Sequence, residues 1–170
     1  MAKGEILFKP HFVQKGRGPH IFDFVMTLDE KGDAFHSDIR LTNEGILISD
    51  TKGRTKYSIS VRWNVEGYGY LFIPADNEGK YYEIPKSGRL ELNLNYELAK
   101  TRVYRNRQRR IKFESEIWKP SNELKHHLDL SEELLNDAKR LKSSNIQCAE
   151  YSQKSLAYST NASEMMEIEK

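Results

Sequence analysis

The chain carries a single cysteine, Cys148, in 170 residues, so no internal disulfide can brace it. A lone thiol without a supporting Ser, His or Asp arrangement reads as apolar filler rather than as a nucleophile. No stretch approaches the ~20 consecutive apolar residues of a membrane-spanning helix, and Met1-Ala2-Lys3-Gly4-Glu5 lacks the apolar run of a secretory leader. Location is left open, extracellular or periplasmic being expected only if a parent enzyme is secreted. The formal charge is only +2, so no global field draws the chain to nucleic acid. No His/Cys spacing resembles a zinc site, no Gly-rich loop resembles a phosphate cradle, and no Ser/His/Asp trio has supporting context. His126, His127 and Asp129 invite a metal reading, yet adjacent helical positions point in different directions. Asp29, Asp33 and Asp50 are candidates for a structural Ca²⁺, although solvated turn residues are the stronger account of them. The expectation is a non-catalytic protein without a cofactor.

What is present is punctuation. Glycine-bearing turns recur at Gly16-Arg17-Gly18-Pro19, Glu30-Lys31-Gly32-Asp33, Asn43-Glu44-Gly45, Lys52-Gly53, Glu66-Gly67, Asn77-Glu78-Gly79 and Lys86-Ser87-Gly88. Between them lie strand-like runs at Glu5 to Phe8, His20 to Asp29, Ala34 to Leu41, Ile46 to Ser49, Tyr57 to Trp63, Tyr68 to Ile73, Lys80 to Ile84 and Arg89 to Leu94. Such spacing predicts an antiparallel, jelly-roll-like β-sandwich. Alternation places Ile59, Val61 and Trp63 on one face, and Leu90, Leu92 and Leu94 repeat the pattern.

After Gly88 glycine disappears and apolar residues recur at helical intervals. Asn93 or Asn95 can cap a first helix running through Tyr96 and Val103 towards Phe113, and Pro120 ends or interrupts it. A second helix starts near Ser121 or Ser131 and carries Leu134, Leu135, Ala138 and Leu141. A third, from about Asn145, carries Ile146, Ala149, Leu156, Met165 and Ile168. The predicted architecture is mainly β with C-terminal helices: a sandwich over 1–94, then a helical extension over 95–170 that packs on the sandwich or leads towards a catalytic barrel.

Aromatic side chains concentrate between Arg62 and Pro74, with Tyr81-Tyr82 close behind. Exposed Tyr or Trp rings can stack on the C–H faces of a pyranose while polar neighbours take its hydroxyls. Tyr68, Tyr70, Tyr81 and Tyr82 are the candidate carbohydrate-binding residues, with Trp63 next. The competing reading is core: Trp63 alternates with buried positions, and the Tyr68, Tyr70, Phe72 parity fits an open or a covered sheet face equally. A basic run, Lys100 to Lys112, offers a nucleic-acid surface, against which stands the use of Arg as helix former and carboxylate partner.

Three stretches resemble the N-terminal region that precedes the catalytic barrel in xylanase-like proteins of glycoside hydrolase family ten. They are Trp63-Asn64-Val65-Glu66-Gly67-Tyr68-Gly69-Tyr70-Leu71-Phe72, then Leu92-Asn93-Leu94-Asn95-Tyr96-Glu97-Leu98-Ala99-Lys100-Thr101-Arg102, then the later helices, together spanning about Ile46 to Lys170. The resemblance implies a non-catalytic, carbohydrate-binding type of sandwich attached to an endo-xylanase-like enzyme, with xylan or a related β-linked glycan as ligand. It implies no catalysis here, because the two carboxylates of such enzymes stand on a (β/α)₈ barrel of ~250 residues. The alternatives are a docking module for that barrel without sugar affinity and, third, nucleic-acid binding through the Arg-rich helix.

Overall fold

A computed structural model describes residues 4–12 and 24–169. Among the described residues eight strands come first: β1 (Glu5–Lys9), β2 (Val25–Leu28), β3 (Ala34–Phe35), β4 (Asp38–Leu41), β5 (Ile46–Asp50), β6 (Ser58–Val65), β7 (Gly69–Ala75) and β8 (Arg89–Asn93). Three helices follow: α1 (Leu94–Ser115), α2 (Asn122–Arg140) and α3 (Asn145–Glu169). Strands followed by C-terminal helices is thus the order observed. The Gly16 to Pro19 turn and the start of the strand expected from His20 lie outside the described residues.

The strands form two four-stranded sheets, ordered β4-β5-β1-β8 and β3-β2-β6-β7. Pairing is antiparallel except between β1 and β8, which run parallel with Glu5 opposite Arg89 and Lys9 opposite Asn93. The exception arises because β8 returns to the free edge of β1 only after the rest of the sheets has been laid down.

Two strands differ from their sequence expectation. The run from Ala34 to Leu41 divides, its halves joining different sheets as β3 and β4. Among the described residues the run from Lys80 to Ile84 makes only the isolated bridge between Tyr82 and Tyr57. Its backbone is committed elsewhere: Asn77, Glu78, Gly79 and Tyr81 all have positive φ, and the Asp76 carbonyl accepts the Tyr81 amide at 2.8 Å. A left-handed loop cannot supply an extended ladder.

β8 runs into α1 without a linker. Asn93 is the N-cap, its side chain accepting the Tyr96 amide at 3.2 Å. Asn95 does different work, because its amide group exchanges two 2.9 Å hydrogen bonds with the His11 backbone and so ties the exit of β1 to the first turn of α1. Ser121 caps α2, whereas Ser131 lies buried within that helix.

One core joins the three parts. Ile6, Phe8, Ile46 and Ile48 from one sheet meet Ile59, Val61, Trp63 and Ile73 from the other, and Leu98, Val103, Leu135 and Leu156 close it from the helices. The shared inward face of Ile59, Val61 and Trp63 is as the alternation predicts. Of the leucine series, Leu92 packs on the core and Leu94 is buried as the first residue of α1, but Leu90 is largely exposed. On α3 the buried face is small and polar, with Ser152, Ser155, Ser159 and Ser163 between Ala149, Leu156 and Ala162, while the expected Ile146 and Ile168 face solvent.

Candidate ligand-binding cleft

The sequence candidates separate into buried and accessible groups. Trp63 is 1% exposed and Tyr82 is 4% exposed, so neither offers a ring face to a ligand, which corrects their candidacy as stacking platforms. The physical reason is polar as well as apolar. The Trp63 indole N–H donates to Gln153 Oε1 of α3 at 3.3 Å, and the Tyr82 hydroxyl donates to Glu97 Oε1 at 2.6 Å. Glu97 is itself buried and pairs with Lys100 at 3.0 Å, which also reaches Asn77 Oδ1 at 2.8 Å. Burial first, and the Glu97 charge second, push the Tyr82 hydroxyl well above the usual tyrosine range.

Tyr68, Tyr70 and Tyr81 reach the surface but do not form one site. Tyr81 directs its hydroxyl to the Glu30 carbonyl at 3.3 Å. Tyr70, 49% exposed, lies on the outer face of β7 with the Arg62 guanidinium 4.9 Å from its ring centroid. Beside it Phe72 meets Phe24 edge-to-face at 5.4 Å.

Tyr68 is placed differently. It sits at the tip of the β6–β7 turn, between Gly67 and Gly69, whose φ values of 87° and 81° allow the chain to reverse in so few residues. The turn carries the ring over α3, where the Tyr68 hydroxyl donates to Asn161 Oδ1 at 2.8 Å. Burial, and then the charge of Glu164, raise the pKa of this hydroxyl.

Below the turn opens a cleft of about 800 Å³, walled by Glu66, Gly67 and Tyr68 from the turn, by His127, Leu130 and Leu134 from α2, and by Lys154, Ala157, Tyr158 and Asn161 from α3. Asn161 is the hinge of its polar side: its Nδ2 approaches the His127 ring nitrogens at 3.4 and 3.5 Å while its Oδ1 holds Tyr68. The His127 and Tyr158 rings are 5.6 Å apart with a tilt of 37°. Glu66 and Lys154 are both exposed, and the Lys154 ammonium lies 5.5 Å from the Tyr151 ring centroid at the edge of the cleft. Two partly exposed aromatic rings, an amide, an imidazole, an ammonium and a carboxylate thus converge on one concavity with an apolar floor.

Of this set the sequence singled out Tyr68 and, as a metal candidate, His127. Glu66 was marked only as part of the turn, and Tyr158, Asn161 and Lys154 gave no local signal, since they meet Tyr68 only when α3 passes under the turn. The metal trio does not assemble: Asp129 turns towards Arg110 at 3.6 Å, and no group of three potential ligands gathers among the described residues. Asp29 accepts the backbone amides of Lys31 and Asp33 and pairs with Arg54 at 3.0 Å. The Asp33 amide, first among these, lowers its pKa. Asp50 accepts the Lys52 amide at 2.8 Å. Cys148 is buried, and burial raises its thiol pKa.

Five of the seven cations between Lys100 and Lys112 are matched by carboxylates. Lys100 meets Glu97, Arg105 meets Asp76, Arg107 meets Glu132, Arg109 meets Glu167, and Arg110 meets Glu114 and Asp129. Arg102 is half-buried, and desolvation lowers its pKa.

Fold and cleft together define a two-sheet, three-helix scaffold with a ligand-sized concavity at the sheet–helix junction. Comparison with protein families, with curated proteins and with solved structures gives no match to this chain.

Proposed function

We propose that the protein is a non-catalytic carbohydrate-binding or accessory module that recognises xylan or a related β-linked glycan by aromatic stacking. The observation that carries this reading is the meeting of Tyr68 and Tyr158 in one cleft with Asn161, His127, Lys154 and Glu66. A pyranose has apolar C–H faces for the rings and a rim of hydroxyls for the amide, imidazole, ammonium and carboxylate. Recognition is an equilibrium event, in which stacking supplies affinity and hydroxyl hydrogen bonds supply selectivity. A catalytic barrel joined to the module in a parent protein would gain effective concentration at its polysaccharide. The finer description of the sheets as a jelly-roll-like sandwich belongs to the same reading, and is supported by the core the two sheets share.

The nucleic-acid alternative draws little from the matched charges of α1, because a cation already paired releases few counterions on meeting phosphate. Affinity gel electrophoresis through xylan, β-glucan and mannan tests the proposal. Retardation on at least one glycan is expected, weakened about tenfold by Tyr68→Ala and by less in Tyr68→Phe, which keeps the ring but loses its hydrogen bond to Asn161. Unretarded migration on all three would overturn it.

A further inference from the structure

The glycan reading leaves open whether a module grips a flat polysaccharide surface, a charged polymer or a single soluble chain. We infer that the cleft takes a short, neutral segment of a single glycan chain, with Tyr158 as its second stacking platform. This inference rests on the carbohydrate reading of the same cleft.

Shape supplies the first argument. A flat crystalline surface needs several rings exposed side by side in one plane. The outer face of β6 and β7 does not present them: Phe72 stands edge-to-face with Phe24, and Arg62 lies over Tyr70. The cleft is concave, and its volume of about 800 Å³ falls within the roughly 300–1,000 Å³ of pockets that enclose one small ligand. That space holds a few pyranose rings. Sugars further along the chain would lie beyond the walls and gain nothing.

Charge supplies the second. One ammonium, Lys154, and one carboxylate, Glu66, line the cleft, and their fields oppose each other. A polyuronate would meet Glu66 and, close behind Tyr68, the charge of Glu164 that already raises the pKa of the Tyr68 hydroxyl. Neutral hydroxyls can instead accept from Lys154 and donate to Glu66 at once.

Chemistry of the rings supplies the third. Tyr158 is 37% exposed and Tyr68 38% exposed, one on α3 and one on the turn. Asn161 holds Tyr68 through its hydroxyl and the His127 ring flanks Tyr158, so both platforms are oriented before a ligand arrives.

Isothermal titration calorimetry of the full chain with neutral xylo- and gluco-oligosaccharides, from disaccharide to hexasaccharide, tests the inference. Affinity should climb to the trisaccharide or tetrasaccharide and then level off. Tyr158→Ala should weaken binding about tenfold, with Tyr158→Phe close to wild type. Polygalacturonate and microcrystalline cellulose should not retain the protein in pull-down assays. Affinity still rising at the hexasaccharide, retention on the crystalline or acidic polymer, or indifference to Tyr158→Ala would each overturn the inference while leaving carbohydrate binding intact. Failure to bind any saccharide in either format would remove both.

Discussion

Tyr82, Glu97 and Lys100 form a buried charged network at the point where the 76–82 loop meets α1. Glu97 is satisfied there by one phenol and one ammonium, so removing the phenol leaves a buried carboxylate short of a donor. Tyr82→Phe is therefore expected to cost about 1–3 kcal/mol in urea unfolding despite preserving the ring. The same residue sets an alkaline limit. A tyrosine whose folded pKa lies above its unfolded value of 10.0 retains its proton longer when folded, so its contribution is complete below pH 10 and declines as pH rises further. Burial raises Tyr57 likewise, and burial pushes Tyr96 up to about 12. Melting temperature should accordingly fall steeply from pH 10 to pH 12, and Tyr57→Phe should flatten that fall. A wild-type profile level across this window would show that these hydroxyls ionise without penalty.

At the scale of elements, the junction between β8 and α1 is set by two neighbouring asparagines with different tasks. Asn93 caps α1 and also donates to the Asn145 carbonyl at the start of α3, at 3.2 Å. Asn93→Ala should cost about 1 kcal/mol and lower the melting temperature by roughly 2–4 °C. Asn93→Asp, which keeps the capping oxygen but loses the donor to the Asn145 carbonyl, should recover only part of it. The three helices approach closely because α3 shows α1 and α2 a face of serine and alanine. Ser155 donates across to the Ser131 carbonyl at 2.8 Å and Ser163 to Asn106 Oδ1 at 2.6 Å. Ser155→Leu at this seam is expected to destabilise by about 1–3 kcal/mol through overpacking, measurable by chemical denaturation.

At the scale of the whole molecule, strands and helices are not independent. Trp63 and Asn64 of β6 are bonded to Gln153 of α3, Asp76 to Thr101 and Arg105 of α1, and Tyr82 to Glu97. Unfolding should therefore be one cooperative event, with circular dichroism at 222 nm and tryptophan fluorescence giving the same midpoint. The fluorescence probes are well separated, since Trp63 lies in the main core and Trp118 packs on Phe113 in the satellite core of Leu124, Leu128, Ala162 and Met166. A fragment of residues 1–94 expressed alone should lack a cooperative transition, because Trp63, Asp76 and Tyr82 would lose their helical partners. A sharp thermal melt of that fragment would contradict the shared core.

The amino-acid sequence by itself determined that strands precede helices and that Ile59, Val61 and Trp63 share an inward face, because turn residues and alternation act over a few positions, whereas the choice of Ser121 over Ser131 as the cap of α2 was made by the fold. Tertiary structure alone decided the rest. The parallel return of β8, the left-handed path after Asp76 and the carboxylate partners of the α1 arginines depend on contacts between residues far apart in sequence. The same holds for the candidate site. Aromatic density marked Tyr68 together with Trp63 and Tyr82, but local pattern carries no sign of which face a distant helix will cover. Burial removed Trp63 and Tyr82, and the passage of α3 beneath the β6–β7 turn brought Tyr158, Asn161 and Lys154 to Tyr68.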